Sequence, residues 1–272
     1  MGTTQRIVPG VSGEPNWGDL NRAITNIAKA VEQQKKSHDN QNLNPDQVAK
    51  ATKKNSDRRN GHVKAAFKNL VKTGGGAKTI SSGKSKSIGR AGLKSSGRLV
   101  NFYTSVSSSG LQKALQDIGL GNLAGKSVQD ITDFLLVYCV DNNSGMDETA
   151  ASKATCEVLN EIATESNNDL DKYEELINSY VDSNGLADIL CKFWGLYIYE
   201  HLSQRFEEKI TQNKGTEVSK ETFRTIKEDI MGQVKVLNET RSVAKIDWQG
   251  NEGTKNIESI FESIIKIICD DN

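Results

Sequence analysis

The sequence predicts an all-α fold, and three observations carry that prediction. Aromatic residues make up only 6% of the 272 positions and there are three prolines, which suits neither the strands nor the turns of a sandwich or barrel. Long stretches are rich in Leu, Ile, Ala, Glu and Lys, residues that lose little on entering a helix. The last segment repeats its apolar residues at helical spacing, with Ile257, Ile260, Phe261, Ile264, Ile265 and Ile268 in one stripe opposite Glu258, Glu262 and Lys266.

Residues 1–18, MGTTQRIVPGVSGEPNWG, hold four glycines and two of the three prolines without any period, which reads as an extended tail. Asp19 then serves as an N-cap, and Leu20, Ile24, Ile27, Ala28 and Val31 predict a first helix over about 20–35. A polar stretch through Asn44-Pro45 breaks it. Val63, Ala66, Phe67, Leu70 and Val71 make a short amphipathic helix. The following TGGGAKTISSGKSKSIGRAGLKSSGR has almost nothing to bury and is expected to be mobile in isolation. Apolar residues return at Leu99–Val106, and Leu111, Ala114, Leu115 and Ile118 continue a helical pattern.

Beyond residue 120 the helices announce themselves by caps and breakers. Ser127 opens a capping box with Asp130 in place of the usual Glu, leading into an apolar run. Further helices are expected at 147–165, 169–182, 186–211, 219–240 and 255–269. Segment 186–211 is apolar on more than one face through Leu190, Phe193, Trp194, Leu196, Tyr197 and Ile198, which marks it as the central helix. The chain thus divides into a tail (1–18), N-terminal helices (19–72), a flexible basic Gly/Ser-rich segment (73–98) and an acidic helical domain (99–272).

Charge follows the same division. The formal net charge is zero, from 35 basic and 35 acidic side chains, yet residues 1–110 carry 19 Lys and Arg against 6 acids while residues 111–272 carry 16 against 29. From Lys50 to Arg98 there are 14 Lys and Arg and one acid, Asp57. Such a run would gain from counterion release on nucleic acid, but few aromatics interleave to stack bases. The balance of charge within the chain favours docking onto acidic protein, through Lys78, Lys84, Lys86, Arg90, Lys94 and Arg98, on this chain's own C-terminal half or another subunit. Nucleic-acid binding by 50–98 is the alternative.

Catalytic motifs fail on inspection. Gly121–Ser127 is one residue short of a phosphate-binding loop and no strand precedes it, while Lys78–Ser85 has Lys where the first Gly belongs. His38, His62 and His201 are isolated, and only His201 sits on a strongly apolar helix, where a packed histidine is the simplest reading. Cys139, Cys156, Cys191 and Cys269 lie far apart and read as reduced, mostly buried thiols rather than a disulfide framework or zinc site. No enzyme, cofactor or metal is expected. With no apolar leader and no run approaching the roughly 20 residues of a membrane span, the chain reads as cytoplasmic.

In three places the sequence resembles the QatB family of the Qat anti-phage defence systems. These are the Met-Gly-Thr start, the Gly/Ser/Arg/Lys-rich middle, and the run from Leu111 to Glu165 that contains Leu123–Val128 and the acidic turn Asp141–Asp147 before a helix. Past that run the likeness is confined to helical character and Trp248. The resemblance implies a non-enzymatic subunit working beside an ATPase, a TatD-like nuclease and a QueC-like enzyme (QatC-type) that attaches a deazaguanine-type base to a partner's N-terminus. Gly2 would be the modified residue, with Thr3, Thr4, Gln5 and Arg6 as the flanking contacts, because a small second residue permits removal of Met1. The lipid-modification pattern M-G-x-x-x-[ST] fails at Arg6.

Overall fold

The computed structural model describes residues 15–39, 45–141, 145–183, 185–240, 247–248 and 250–269. Among these residues there are eleven helices and no strand: α1 (Pro15–Asp39), α2 (Pro45–Thr73), α3 (Ala77–Ser81), α4 (Arg90–Ser109), α5 (Leu111–Asp117), α6 (Val128–Cys139), α7 (Met146–Glu165), α8 (Leu170–Asp182), α9 (Gly185–Lys214), α10 (Thr216–Thr240) and α11 (Gly250–Cys269). The all-α class read from the sequence is the class observed.

Helices α1 and α2 form an antiparallel pair, and α9 packs against α10, α7, α11, α8, α4 and α1. Being surrounded is why α9 is apolar on several faces: Phe193, Trp194, Leu196 and Tyr197 are all buried. Trp194 stacks on Phe261 of α11 at a ring-centroid distance of 3.6 Å, with Tyr197 edge-on to Trp194 at 5.4 Å. The stripes expected from sequence are in place and buried, Leu20, Ile24, Ile27, Ala28 and Val31 on α1 and the Ile257–Ile268 set on α11, and all but Val31 belong to one core that runs from α1 to α11. The Ser127 capping box forms as expected, its hydroxyl accepting from the Asp130 N–H while the Asp130 carboxylate accepts from the Ser127 N–H.

Three features differ from the sequence reading. Helix α1 starts at Pro15, four residues ahead of Asp19, because proline's fixed φ and missing N–H suit the first helical position. Helix α2 covers the cationic stretch from Lys50 to His62 as well as the expected amphipathic turns. Lys, Arg and Ala are good helix formers, and packing against α1 supplies the stability that a short amphipathic stretch lacks alone.

The third difference is the Gly/Ser-rich segment, expected to have almost nothing to bury. It holds α3 and the first turns of α4, and it buries Ile80, Ile88, Ser85, Ser95 and Ser96. Its glycines serve packing. Gly89 adopts φ +110°, and a Cβ there would lie 2.3 Å from the Ile80 carbonyl oxygen. Gly92 lets α4 approach α9 so closely that a Cβ would meet the Trp194 ring at 2.5 Å.

Candidate functional site

Where α4 begins, the sequence leaves a helix end without a cap of its own: the N-cap is Gly89, which has no side chain to accept from the first free N–H groups. The missing acceptor comes from Asp147, in the first turn of α7. Its Oδ2 accepts from the Ala91 N–H at 2.8 Å and its Oδ1 from the Gly89 N–H at 3.2 Å. The same Oδ1 accepts from the Tyr197 hydroxyl and from Nε2 of His201 at 3.0 Å. The Gly89 N–H is shared with the Tyr197 hydroxyl oxygen at 2.5 Å. One carboxylate thus joins α4, α7 and α9.

Burial works to raise the pKa of Asp147, but the hydrogen bond from His201 and its charge once protonated, the Ala91 N–H and the Tyr197 hydroxyl outweigh it and hold the pKa at about 2. Its position near two helix N-termini favours the anion further. Burial pushes His201 down to about 4 against the pull of Asp147, so the ring is neutral at neutral pH. Since an ionised carboxylate only accepts, Nε2 carries the proton. Burial and the Asp147 charge hold the Tyr197 phenol protonated. Arg205, lowered to about 10 by burial, remains cationic and donates from Nη2 to the Ser87 carbonyl at 3.5 Å. Tyr197, His201 and Arg205 stand at i, i+4 and i+8 on α9, one face of the helix. That spacing was visible in the sequence, but Asp147 lies 50 residues away and has no sequence signal tying it to them.

A second carboxylate of the acidic turn grips α4 two turns further on. Asp141 pairs with Lys94 at 2.5 Å and Arg98 at 3.1 Å, and Arg98 also donates to the Tyr138 carbonyl at 3.0 Å at the end of α6. Of the six basic residues singled out from the sequence, Lys94 and Arg98 therefore meet this chain's own acidic turn. Lys78, Lys84, Lys86 and Arg90 are exposed and have no ion pair among the described residues. Gly2, Thr3, Thr4, Gln5 and Arg6 lie outside the described residues.

Asp147 spends its lone pairs on donors of its own chain. Among the described residues no group of three His, Cys, Asp or Glu side chains is placed to hold a metal ion. None of the four cysteines forms a disulfide, and burial pushes Cys139 up to about 12, which makes it a poor nucleophile. No described helix is long and apolar enough to cross a membrane.

The stretch from α3 through α11, with both carboxylate clamps inside it, is also where the chain matches a known family: the model for the Qat anti-phage system associated protein QatB aligns with residues 74–268, more than half of the chain. The chain belongs to the QatB family. As a QatB-family protein it is a component of the Qat anti-phage system. The matched residues begin at Gly74, so α1 and α2 precede them. Searches of curated proteins and of solved structures gave no match.

Proposed function

We propose that this chain is a non-enzymatic, cytoplasmic subunit of a Qat assembly, whose residues ahead of α1 are the substrate or docking peptide of the system's QueC-like enzyme. The observation that supports the reading is the sequence of that segment. Residues 1–14 have no amphipathic period with which to join the core, and they place Gly2 directly after Met1. An α-amine ionises near about 8, against about 10.4 for lysine, so a freed Gly2 would be the preferred nucleophile despite the many lysines downstream. Thr3, Thr4, Gln5 and Arg6 supply backbone and side-chain contacts to an extended peptide in a cleft. The exposed Lys78, Lys84, Lys86 and Arg90 offer an acidic partner, the QueC-like enzyme, ATPase or TatD-like nuclease, a second point of contact.

Co-expression with the QueC-like partner followed by intact and peptide mass spectrometry tests the reading. A mass increase on the peptide that starts at Gly2, lost in Gly2→Glu, is the expected outcome. Deleting residues 2–14 should leave the melting temperature nearly unchanged and abolish defence. An unmodified Gly2 terminus in cells with full defence would overturn the proposal.

A further inference from the structure

The outward face of α2 carries an unbalanced charge that neither the tail nor the carboxylate clamps use. At 100° per residue, Lys50, Lys53, Lys54, Arg58, Lys64, Lys68 and Lys72 fall within about 140° of the helix circumference, opposite the buried Val63, Ala66, Phe67 and Leu70. Between Lys50 and Lys72 the only acid is Asp57. Asp229 of α10 is near enough to Lys64 to feel its charge. Lys50, Lys53, Lys54, Arg58 and Lys72 are exposed, with no ion pair among the described residues. At 1.5 Å per residue the stripe is about 33 Å long.

We infer that this face of α2 is a binding surface for the phosphate backbone of duplex nucleic acid, an assignment independent of the N-terminal reading. Length is the first reason: about 33 Å matches one turn of B-form DNA, about 34 Å. The second is a cleft of about 400 Å³ between α1 and α2, lined by Ala51 and by Gln33, Lys36, Ser37, Lys54, Asn55 and Arg58, whose polar groups can donate to phosphate oxygens, Lys36 being shared with Glu32 at 2.8 Å. The third is what the face lacks. Phe67 is buried and the His62 ring lies outside the basic arc, so the stripe itself has no platform on which to stack unpaired bases. Nor does the face expose a large apolar side chain of the kind that anchors protein interfaces, which are poor in lysine. A lysine-rich ridge without anchors, in which Asp57 is the single acid among seven cations, is suited to regularly spaced phosphates.

The test is fluorescence polarisation of a labelled 20-base-pair DNA duplex, and of the matching single strand, with the full chain between 50 and 200 mM NaCl. Expected is duplex binding tighter than about 100 μM at 150 mM salt, with a logarithmic salt slope near −0.9 for each phosphate engaged. In Lys50→Glu/Lys54→Glu/Arg58→Glu, affinity should fall at least about tenfold and the slope flatten by about 0.9 per lost contact, while circular dichroism stays that of the unaltered protein. Lys54→Gln/Arg58→Gln gives the same direction with a milder change of charge. A control, Lys235→Glu/Lys255→Glu/Lys266→Glu, changes net charge equally on α10 and α11 and should retain binding. Absence of duplex binding, tighter binding to the single strand, or an equal loss in the control each overturns the assignment. Loss of co-purification with a Qat protein in the α2 variant, without duplex binding by the unaltered chain, would assign the face to an acidic protein instead.

Discussion

Asp147, in the first turn of α7, accepts at 2.8 Å the N–H that Ala91 presents at the open end of α4, and so caps a helix that begins 56 residues before its own. A helix whose N-cap is glycine depends on that distant carboxylate for the orientation of its first turn. The consequences are measurable.

Replacing Asp147 by Ala leaves the Gly89 and Ala91 N–H groups, the Tyr197 hydroxyl and His201 Nε2 without their common acceptor in a largely buried place. A loss of about 3 kcal/mol in denaturant unfolding is expected. Hydrogen exchange at residues 89–92 should accelerate beyond the change at α11. Asp147→Asn keeps one acceptor oxygen but points an amide at donors, and should fall between the two.

Acid should weaken the fold in a defined window. His201 binds its proton near pH 6.5 when unfolded and only at about 4 when folded, so the unfolded chain takes up more protons between these values and stability declines as pH falls from about 6.5 to 4. Asp147, held at about 2 in the fold, adds a further loss as pH drops below about 4. In His201→Gln the decline between 6.5 and 4 should shrink while the one below 4 persists. Melting temperatures across pH 3–7.5 provide the check, and an unchanged slope in the variant would count against the neutral histidine.

Gly92→Ala should destabilise by about 1–3 kcal/mol, because the added carbon would lie 2.5 Å from Trp194 and 3.0 Å from Tyr197 in a packed interface. Trp194 emission should shift as the helices part. Gly97→Ala, one residue beyond a full turn, meets nothing within 4 Å and should be neutral or slightly stabilising.

The two partners of Asp141 should behave differently. Lys94 is half exposed and its pair is screened, so Lys94→Ala should barely alter stability. Arg98 also ties down the Tyr138 carbonyl at the C-terminal end of α6 and should cost about 1 kcal/mol when truncated to Ala. Raising salt to 1 M should reduce the first effect more than the second.

How much of this was legible depends on whether a feature is local. The stripe of α11, the box at Ser127 and the all-round burial of α9 follow from residues within one or two turns of each other, and a sequence displays them. Gly89 and Gly92 read as flexibility, since what each is for is set by the Ile80 carbonyl and the Trp194 ring. The N-terminal half of α2 carries too few apolar residues to mark itself, and it becomes a helix through its contact with α1. Tyr197, His201 and Arg205 were spaced for one face of α9, but their partner Asp147 could not be paired with them before the fold was known. The acidic turn 141–147 stands out in the sequence by its composition, whereas the clamping of α4 by Asp141 and Asp147 depends on three-dimensional proximity.

The position of α11 has a consequence for synthesis. Ile80 and Ile88 are roofed by Phe261, Ile265 and Ile268. A ribosome makes those covering residues only after all of α2–α10, and α11 itself must clear the exit tunnel before it can dock. Until then the nascent chain leaves the apolar side chains of α2 and α3 that α11 covers open to water, surface of the kind that favours aggregation. Polypeptides that end before Gly250 never gain that cover, and proteolytic clearance should remove them.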